Sequence, residues 1–192
     1  MIGTKLRFPE QLSKQPSRVV LYLRMSSAGD LLLSDINYSA WANQCLLEGC
    51  SSVSANELQQ DLRLSHTNII ATLRHIYDSE RVWLDSIRDT PDGEVYVLPQ
   101  GPAPELSLDA LKQQWPKLWS GYRTWIGEQS EKNQLDSEII VQLPDKAPRF
   151  SRRNILRHVL DHSQFHRGQI VAMFRALGHR PPAINRMDYF FV

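Results

Sequence analysis

Residues 155–182, ILRHVLDHSQFHRGQIVAMFRALGHRPP, predict a long amphipathic helix. At about 100° per residue, the apolar side chains of this stretch fall on one stripe. The stripe consists of Ile155, Val159, Ile170, Met173, Phe174 and Leu177. Ser151 is a suitable N-cap, and Gly178 followed by HRPP is a stop signal. Because a helix with one apolar face must bury that face, the stretch indicates packing against further helices.

Three earlier segments repeat apolar residues at the same helical spacing. They predict helices over roughly residues 30–49, 65–88 and 107–128. Pro116 lies inside the last segment, where it is expected to kink or break the helix. Four helices of this length, joined by loops of which one or two are long, predict an all-α four-helix bundle.

Two short stretches favour extended backbone. VYVL at 95–98 and SEIIVQLPD at 137–145 alternate briefly between apolar and polar residues. We expect the two stretches to pair as a small hairpin-like excursion between the helices.

The length of 192 residues suits one domain with a sizeable core. Residues 1–24 contain two prolines and several basic side chains, without a helical or alternating pattern, and they precede Met25. We interpret 1–24 as an N-terminal extension that is disordered or not native, and 25–192 as the bundle domain.

The charge distribution argues against two classes of partner. The formal net charge is +1 and the charges are mixed along the chain, so we expect neither nucleic acid nor a membrane as a partner. The apolar runs are too short for a membrane span, and a cytoplasmic location is expected. Cys45 and Cys50 lie outside any CxxC pattern and are interpreted as ordinary reduced thiols.

Three histidines stand four residues apart in the last helix. His166 falls inside the apolar stripe, His162 lies about 40° away at its edge, and His158 lies about 40° further round. Two imidazoles at i and i+4 share one helix face, which is a spacing typical of metal ligands. The alternative is a pair of core histidines that are each satisfied by a hydrogen bond.

A metal in a bundle core needs a further ligand from a facing helix. The remaining histidines are His66, at a helix start, His179, in the terminal turn, and His75, in the middle of the second helix. His75 lies on a flank with small side chains that leave room for a pocket. This placement favours His75 as part of the wall of a site.

The sequence also resembles a known family. TLRHIYDSERVWL at 72–84 and the stretch at 155–182 closely resemble the two signature segments of the DinB family, also called the DinB/YfiT-like putative metalloenzymes. YSAWANQCLL at 38–47 and DYFF at 188–191 resemble the ends of that family's domain. The resemblance covers residues 25–192 and implies a four-helix bundle with a divalent metal, zinc or nickel.

The resemblance implies that His75, His162 and His166 bind the metal. His158 matches a position that is often histidine in the family but is not usually a ligand. Similar members are frequently dimers, so a homodimer is expected, with the VYVL and EIIV arms as candidate contact surfaces.

Characterised members of the family are metal-dependent thiol transferases and isomerases that use bacillithiol, mycothiol or glutathione. The resemblance therefore implies an S-transferase-like enzyme that joins a low-molecular-weight thiol to a small electrophile. Three neutral nitrogen ligands leave an open position for a thiol or water. A metal-dependent hydrolase, with Asp78, Glu80 or Asp161 as base, and a non-catalytic stress protein stabilised by metal remain the alternatives.

Further side chains near the ligands are candidates for the pocket or for support of the ligands. Arg74, Arg167 and Gln169 could orient an anionic thiol, or they could be interhelical charges and polar contacts. Candidates for the pocket lining are Trp41, Asn43, Tyr77 and Trp83, with His158 as a supporting or packing residue. Aromatic residues on bundle helices also commonly pack in the core.

Overall fold

The computed structural model describes residues 27–64, 66–101 and 105–192, so the interpretation of residues 1–24 lies outside the described part. The helices are α1 (Ala28–Gly49), α2 (Ala55–Leu58), α3 (Ile69–Asp89), α4 (Leu108–Glu131), α5 (Arg152–Ala176) and α6 (Arg186–Tyr189). A single 3-10 turn at Cys50–Ser52 follows α1. The strands are β1 (Val95–Val97), β2 (Glu138–Gln142) and β3 (Arg149–Ser151). The four long helices confirm the predicted all-α bundle.

Short polar side chains cap the long helices. Ser27 and Asp30 form a reciprocal capping box at the start of α1. Asn68, Ser107 and Ser151 accept hydrogen bonds from backbone N–H groups in the first turns of α3, α4 and α5. These contacts satisfy backbone donors that a helix cannot satisfy internally, and they explain why each helix begins at these residues.

Pro116 does not break α4, which runs continuously from Leu108 to Glu131. A proline inside a helix removes one backbone hydrogen bond and costs about 3 kcal/mol or more. The neighbouring Trp115 is fully buried and Trp119 is 6% exposed, so packing of this helix offsets that cost.

The core consists of two apolar clusters. Helices α1 and α3 each pack against both α4 and α5. One cluster is built around Leu46, Leu47, Leu73, Ile76, Leu111, Ile170 and Phe174. The other is built around Leu32, Ile36, Leu84, Ile87, Ile126, Ile155 and Val159. On each of the four long helices, one half contributes residues to the first cluster and the other half contributes residues to the second.

Glu80 lies at this division, and its carboxylate accepts hydrogen bonds from the other three long helices. The side-chain amide of Asn43 on α1 donates to Oε1 over 2.9 Å. The indole N–H groups of Trp115 and Trp119 on α4 donate to Oε2 over 2.6 and 3.2 Å. The hydroxyl of Ser163 on α5 donates to Oε1 over 2.8 Å. Glu80 therefore connects all four long helices.

Arg167 completes this buried polar layer, which we define as Asn43, Glu80, Ser163 and Arg167. The guanidinium of Arg167 donates to Ser39 Oγ over 2.8 Å and to Asn43 Oδ1 over 3.1 Å, and the residue is 2% exposed. Burial raises the pKa of Glu80, whereas the hydrogen bonds from Trp115 and Ser163 and the charge of Arg167 act in the opposite direction. The positive charge of Arg167 thus compensates a carboxylate that is removed from water.

The strands form a sheet in the order β1-β2-β3. The expected pairing of the two extended stretches is present, but their arrangement as a hairpin was wrong. β1 and β2 are parallel, with Val95 opposite Ile140, and α4 forms the connection between them. The antiparallel partner of β2 is β3, which pairs Ile139 with Phe150.

Arg152 connects the sheet to the bundle. Its guanidinium donates to the backbone oxygens of Ile87, at the end of α3, and of Thr90, and it pairs with Asp92. It also donates to the hydroxyl of Ser137, immediately before β2. The side chain of Arg152 is 6% exposed, so its contacts with the backbone oxygens are shielded from water, whereas Asp92 is 59% exposed.

Two further sequence-based predictions concern residues that the structure describes. Cys45 and Cys50 are free thiols, as expected, and burial raises the pKa of Cys50 to about 12. Within the described ranges, no helix is long and apolar enough to cross a membrane. The homodimer remains a prediction.

We expect Glu80→Ala to lower the free energy of unfolding by about 3–5 kcal/mol, because it leaves buried donors unsatisfied and the charge of Arg167 uncompensated. Urea unfolding followed by tryptophan fluorescence measures the change. The matched control is Glu128→Gln, at an exposed position on α4. A loss as small as that of the control would contradict the role of Glu80 at the centre of the bundle.

Candidate metal centre

Helices α3 and α5 bring three predicted histidines together. His75 extends from α3, and His162 and His166 extend from consecutive turns of α5. The Nε2 atoms of His75 and His162 are 2.9 Å apart. The ring centroid of His166 lies 4.6 Å from that of His75 and 4.5 Å from that of His162. The three side chains predicted as ligands therefore form one contiguous cluster.

A fourth histidine, His66, joins the cluster from the loop before α3. Its ring stacks on that of His75, with centroids 3.9 Å apart and planes at 23°. The potential ligand atoms of His66, His75 and His166 all lie within 4.8 Å of one another, close enough to hold a metal ion. This triplet differs from the predicted one, because it contains His66 in place of His162. The sequence had placed His66 only at a helix start, where helical spacing does not predict its direction.

The hydrogen bonds of the cluster fit a metal site. His166 Nδ1 lies 2.8 Å from Oε1 of Gln169. An amide oxygen can only accept, so Nδ1 carries the proton and the lone pair of His166 is on Nε2. A hydrogen-bond acceptor behind the ring is the arrangement that fixes the tautomer of metal-binding histidines. Gln169, predicted as a supporting residue, therefore lies where such a role requires.

His162 carries an unsatisfied nitrogen. Within residues 27–64, 66–101 and 105–192, its Nδ1 is the only buried side-chain nitrogen or oxygen without a hydrogen-bond partner. Buried polar atoms in native proteins almost always have a partner, and an exception commonly marks a water or an ion. The residues present thus fit a divalent cation, since all the donors are imidazole nitrogens, which suit zinc and nickel.

Three imidazoles of the cluster, those of His66, His75 and His162, have lowered pKa values. Burial lowers the pKa of His75 to about 4, with the neighbouring His66 and His166 adding to the effect. Burial likewise lowers the pKa of His162 to about 4, and His166 and His75 add to it. The pKa of His66 is also lowered, first by burial and then by His166. Metal coordination requires neutral imidazoles, so these residues need not lose a proton at pH 7 to bind.

His158 and Trp83 border the cluster on the side of His162. The ring of His158 lies 5.8 Å from His162 and packs edge-on against Trp83 at 5.3 Å. His158 is exposed, and it reaches the other histidines only through His162. This position is compatible with the packing or supporting role predicted for His158, and the pocket-lining role predicted for Trp83 stays a prediction.

Two predicted pocket residues belong to the bundle interior. Asn43 is fully buried and bridges Glu80 and Arg167. The Nη1 atom of Arg167 donates to α1, and helical spacing places this residue on the far side of α5 from His162. These contacts agree with the alternative of an interhelical charge, and the orientation of an anionic thiol by Arg167 stays a prediction.

Three other candidates contact other parts of the bundle. The hydroxyl of Tyr77 donates to Gln114, and its ring packs against Trp115 in the core. Trp41 packs against Tyr189 of the terminal helix α6, at 5.4 Å. Arg74 donates to the backbone oxygen of Leu106. These contacts stabilise the bundle and its C-terminal segment, and the pocket-lining role of Trp41 and Tyr77 stays a prediction.

Comparison with known proteins agrees with the fold and with the histidine cluster. The family model described as DinB family matches residues 25–191. The chain is also similar to "Protein DinB" of Bacillus subtilis (strain 168), with 21% identity over 156 residues, which cover 81% of this chain and 91% of that protein. The family match spans the whole bundle, including the four histidines of the cluster, and this chain belongs to the DinB family.

Proposed function

We propose that the protein is a metal-dependent thiol S-transferase, which joins a low-molecular-weight thiol to a small electrophile. The observation that carries the proposal is the cluster of imidazoles between α3 and α5 of a DinB-family bundle. His75, His162 and His166 would hold one divalent cation, zinc or nickel. When bound, the cation supplies a positive charge that favours the thiolate form of the thiol at neutral pH.

The donor set supports a catalytic site over a structural one. Structural zinc sites are usually closed by four ligands, several of them cysteine, whereas three histidines with an open position are typical of catalysis. Cys45 and Cys50 lie on α1 and at the turn that follows it, and neither is among the clustered groups. A site that binds an exogenous thiol is consistent with a donor set that lacks cysteine.

The surroundings of the cluster support an apolar electrophile. Phe165 is 64% exposed, and its ring packs edge-on against His166 with centroids 5.1 Å apart. Leu64, two residues before His66, is 40% exposed. Removing such surfaces from water is favourable at about 25 cal/mol per Å². An apolar substrate that covers Phe165 would also lie beside the metal ligands.

The carboxylates near the cluster give less support to the alternative hydrolase. A hydrolase needs a base that can reach a water at the metal. Glu80 is 3% exposed and is held by the donors of the polar layer. Asp78 pairs with Arg81 at 2.8 Å, and Asp161 is exposed on α5. A thiol is much more acidic than water, so thiol transfer places a smaller demand on such a base.

Loss of a residue that only supports a metal ligand weakens metal binding by roughly 10–100-fold. We expect His75→Ala and His166→Ala, which remove proposed ligands, to weaken zinc binding by more than this. Gln169→Ala, which removes only the partner of His166, should fall within that range, and His158→Ala should have a smaller effect than either ligand variant. His179→Ala is the matched control, because this histidine pairs with Glu57 outside the cluster. Competition titration against a chelator measures each affinity. Unchanged zinc binding by His75→Ala would overturn the proposed site.

The lowered pKa values predict an unusual histidine titration in the metal-free protein. His75 and His162 should stay neutral as the pH falls from 8 to about 5 and take up protons only near pH 4. An ordinary histidine becomes protonated near pH 6.5. NMR of the ring carbons, assigned with the His75→Ala and His162→Ala variants, follows each group. Midpoints near 6.5 would contradict the described burial of the cluster.

Turnover tests the proposed activity. Zinc- or nickel-loaded protein is incubated with an epoxide or a chloro-aromatic compound, with and without bacillithiol, mycothiol or glutathione. We expect product only when both metal and thiol are present, and its loss in His75→Ala protein. Product formed without thiol would indicate the hydrolase, and no product with any combination would favour a non-catalytic protein stabilised by metal.

A further inference from the structure

His66 lies in the loop before α3, in a segment whose backbone hydrogen bonds direct its side chain. The residue that follows it, Thr67, has a φ of 60°, in the left-handed region that a branched side chain rarely adopts. Thr67 nevertheless holds this conformation through two backbone hydrogen bonds of 2.8 Å, one donated to Leu64 and one accepted from Leu62. The backbone oxygen of His66 accepts from the N–H of Asn68, the N-cap of α3. The loop therefore directs the imidazole of His66 at the cluster at the cost of local strain.

The imidazole of His66 contacts histidines from both helices. It stacks on His75 of α3 and lies 5.0 Å from His166 of α5. The potential ligand atoms of His66, His75 and His166 lie within 4.8 Å of one another. The Nε2 atoms of His75 and His162 are 2.9 Å apart. Three potential ligand atoms, those of His66, His75 and His166, are thus within reach of one ion, and His162 adjoins them through its contact with His75.

We propose that His66 is a fourth ligand of the divalent cation and is the ligand that an incoming thiol displaces. The inference rests on the metal site of the proposed function. Four nitrogen ligands complete a tetrahedral sphere, whereas catalysis needs an open position. His75, His162 and His166 are fixed by two packed helices, so the loop residue is the one that can leave. In the exchange a cation–nitrogen bond breaks, a cation–sulfur bond forms, and the thiol proton passes to solvent.

The loop ligand gives the site two states with different reactivity. With His66 bound, the cation would have no open coordination position for water. With a thiol bound, His66 is released and the sulfur faces the electrophile. The structure thus assigns selectivity for thiol over water to His66, because a soft sulfur ligand competes with imidazole for zinc or nickel better than water does.

Cobalt(II)-loaded protein provides the test, with 2-mercaptoethanol as the thiol probe. The visible absorption of cobalt reports the number and kind of its ligands. The variants are His66→Ala and His66→Gln, of which the second retains a side chain of similar length in the loop. His179→Ala is the control, because it removes a loop histidine that lies outside the cluster. Circular dichroism verifies the helical content of each variant.

We expect both His66 variants to bind one cobalt per chain about 10-fold or more weakly, with an altered spectrum as water replaces an imidazole. Both variants should bind 2-mercaptoethanol about 10-fold more tightly than the parent, because no protein ligand has to be displaced, and all thiol-bound spectra should coincide. His179→Ala should match the parent in every measurement.

Cobalt affinity, spectrum and thiol affinity that equal those of the parent would overturn the assignment of His66. That result leaves the proposed metal site intact if His75→Ala still loses the metal. Retention of metal by His75→Ala, in contrast, would refute the proposed site itself. The two failures are therefore distinguishable.

Discussion

The carboxylate of Glu80 is the constraint on which the bundle depends. A charge that is 3% exposed is stable only if nearby groups replace the water that it has lost. Here the replacement comes from Asn43, Trp115, Trp119 and Ser163, and thus from every other long helix. Apolar clusters alone tolerate sliding of one helix along another, but these hydrogen bonds do not. The polar layer therefore fixes the register in which the four helices pack.

That register also determines the candidate site. Ser163, which donates to Glu80, is the immediate neighbour of His162 on α5, and His75 lies on the same helix as Glu80. Fixing Ser163 against Glu80 therefore fixes the position of His162 and His166 relative to His75. The same contacts between helices therefore position both the polar layer and the histidine cluster. We therefore expect a change in the polar layer to shift the clustered histidines without contacting them.

Much of this arrangement could be predicted from the sequence, because helical spacing determines which residues share a face. It predicted the four long helices and the placement of His162 and His166 side by side. It could not predict His66, which precedes the cap Asn68 and is directed by the left-handed conformation of Thr67. Nor could it predict the contacts of Arg167 with α1, since an arginine beside a ligand is equally compatible with the site and with a contact across the bundle. Local alternation likewise does not reveal strand direction, so the parallel pairing of β1 with β2 was missed.

The parallel pairing of β1 with β2 has a consequence for how the chain folds. Val95 can pair with Ile140 only after α4, which lies between them in the sequence, has packed against the bundle. Contacts between residues so distant in sequence carry a large loop-closure entropy and form late. The antiparallel pair of β2 and β3, in contrast, closes locally. We therefore expect β2 and β3 to pair first and the outer strand β1 to join once the third long helix is in place.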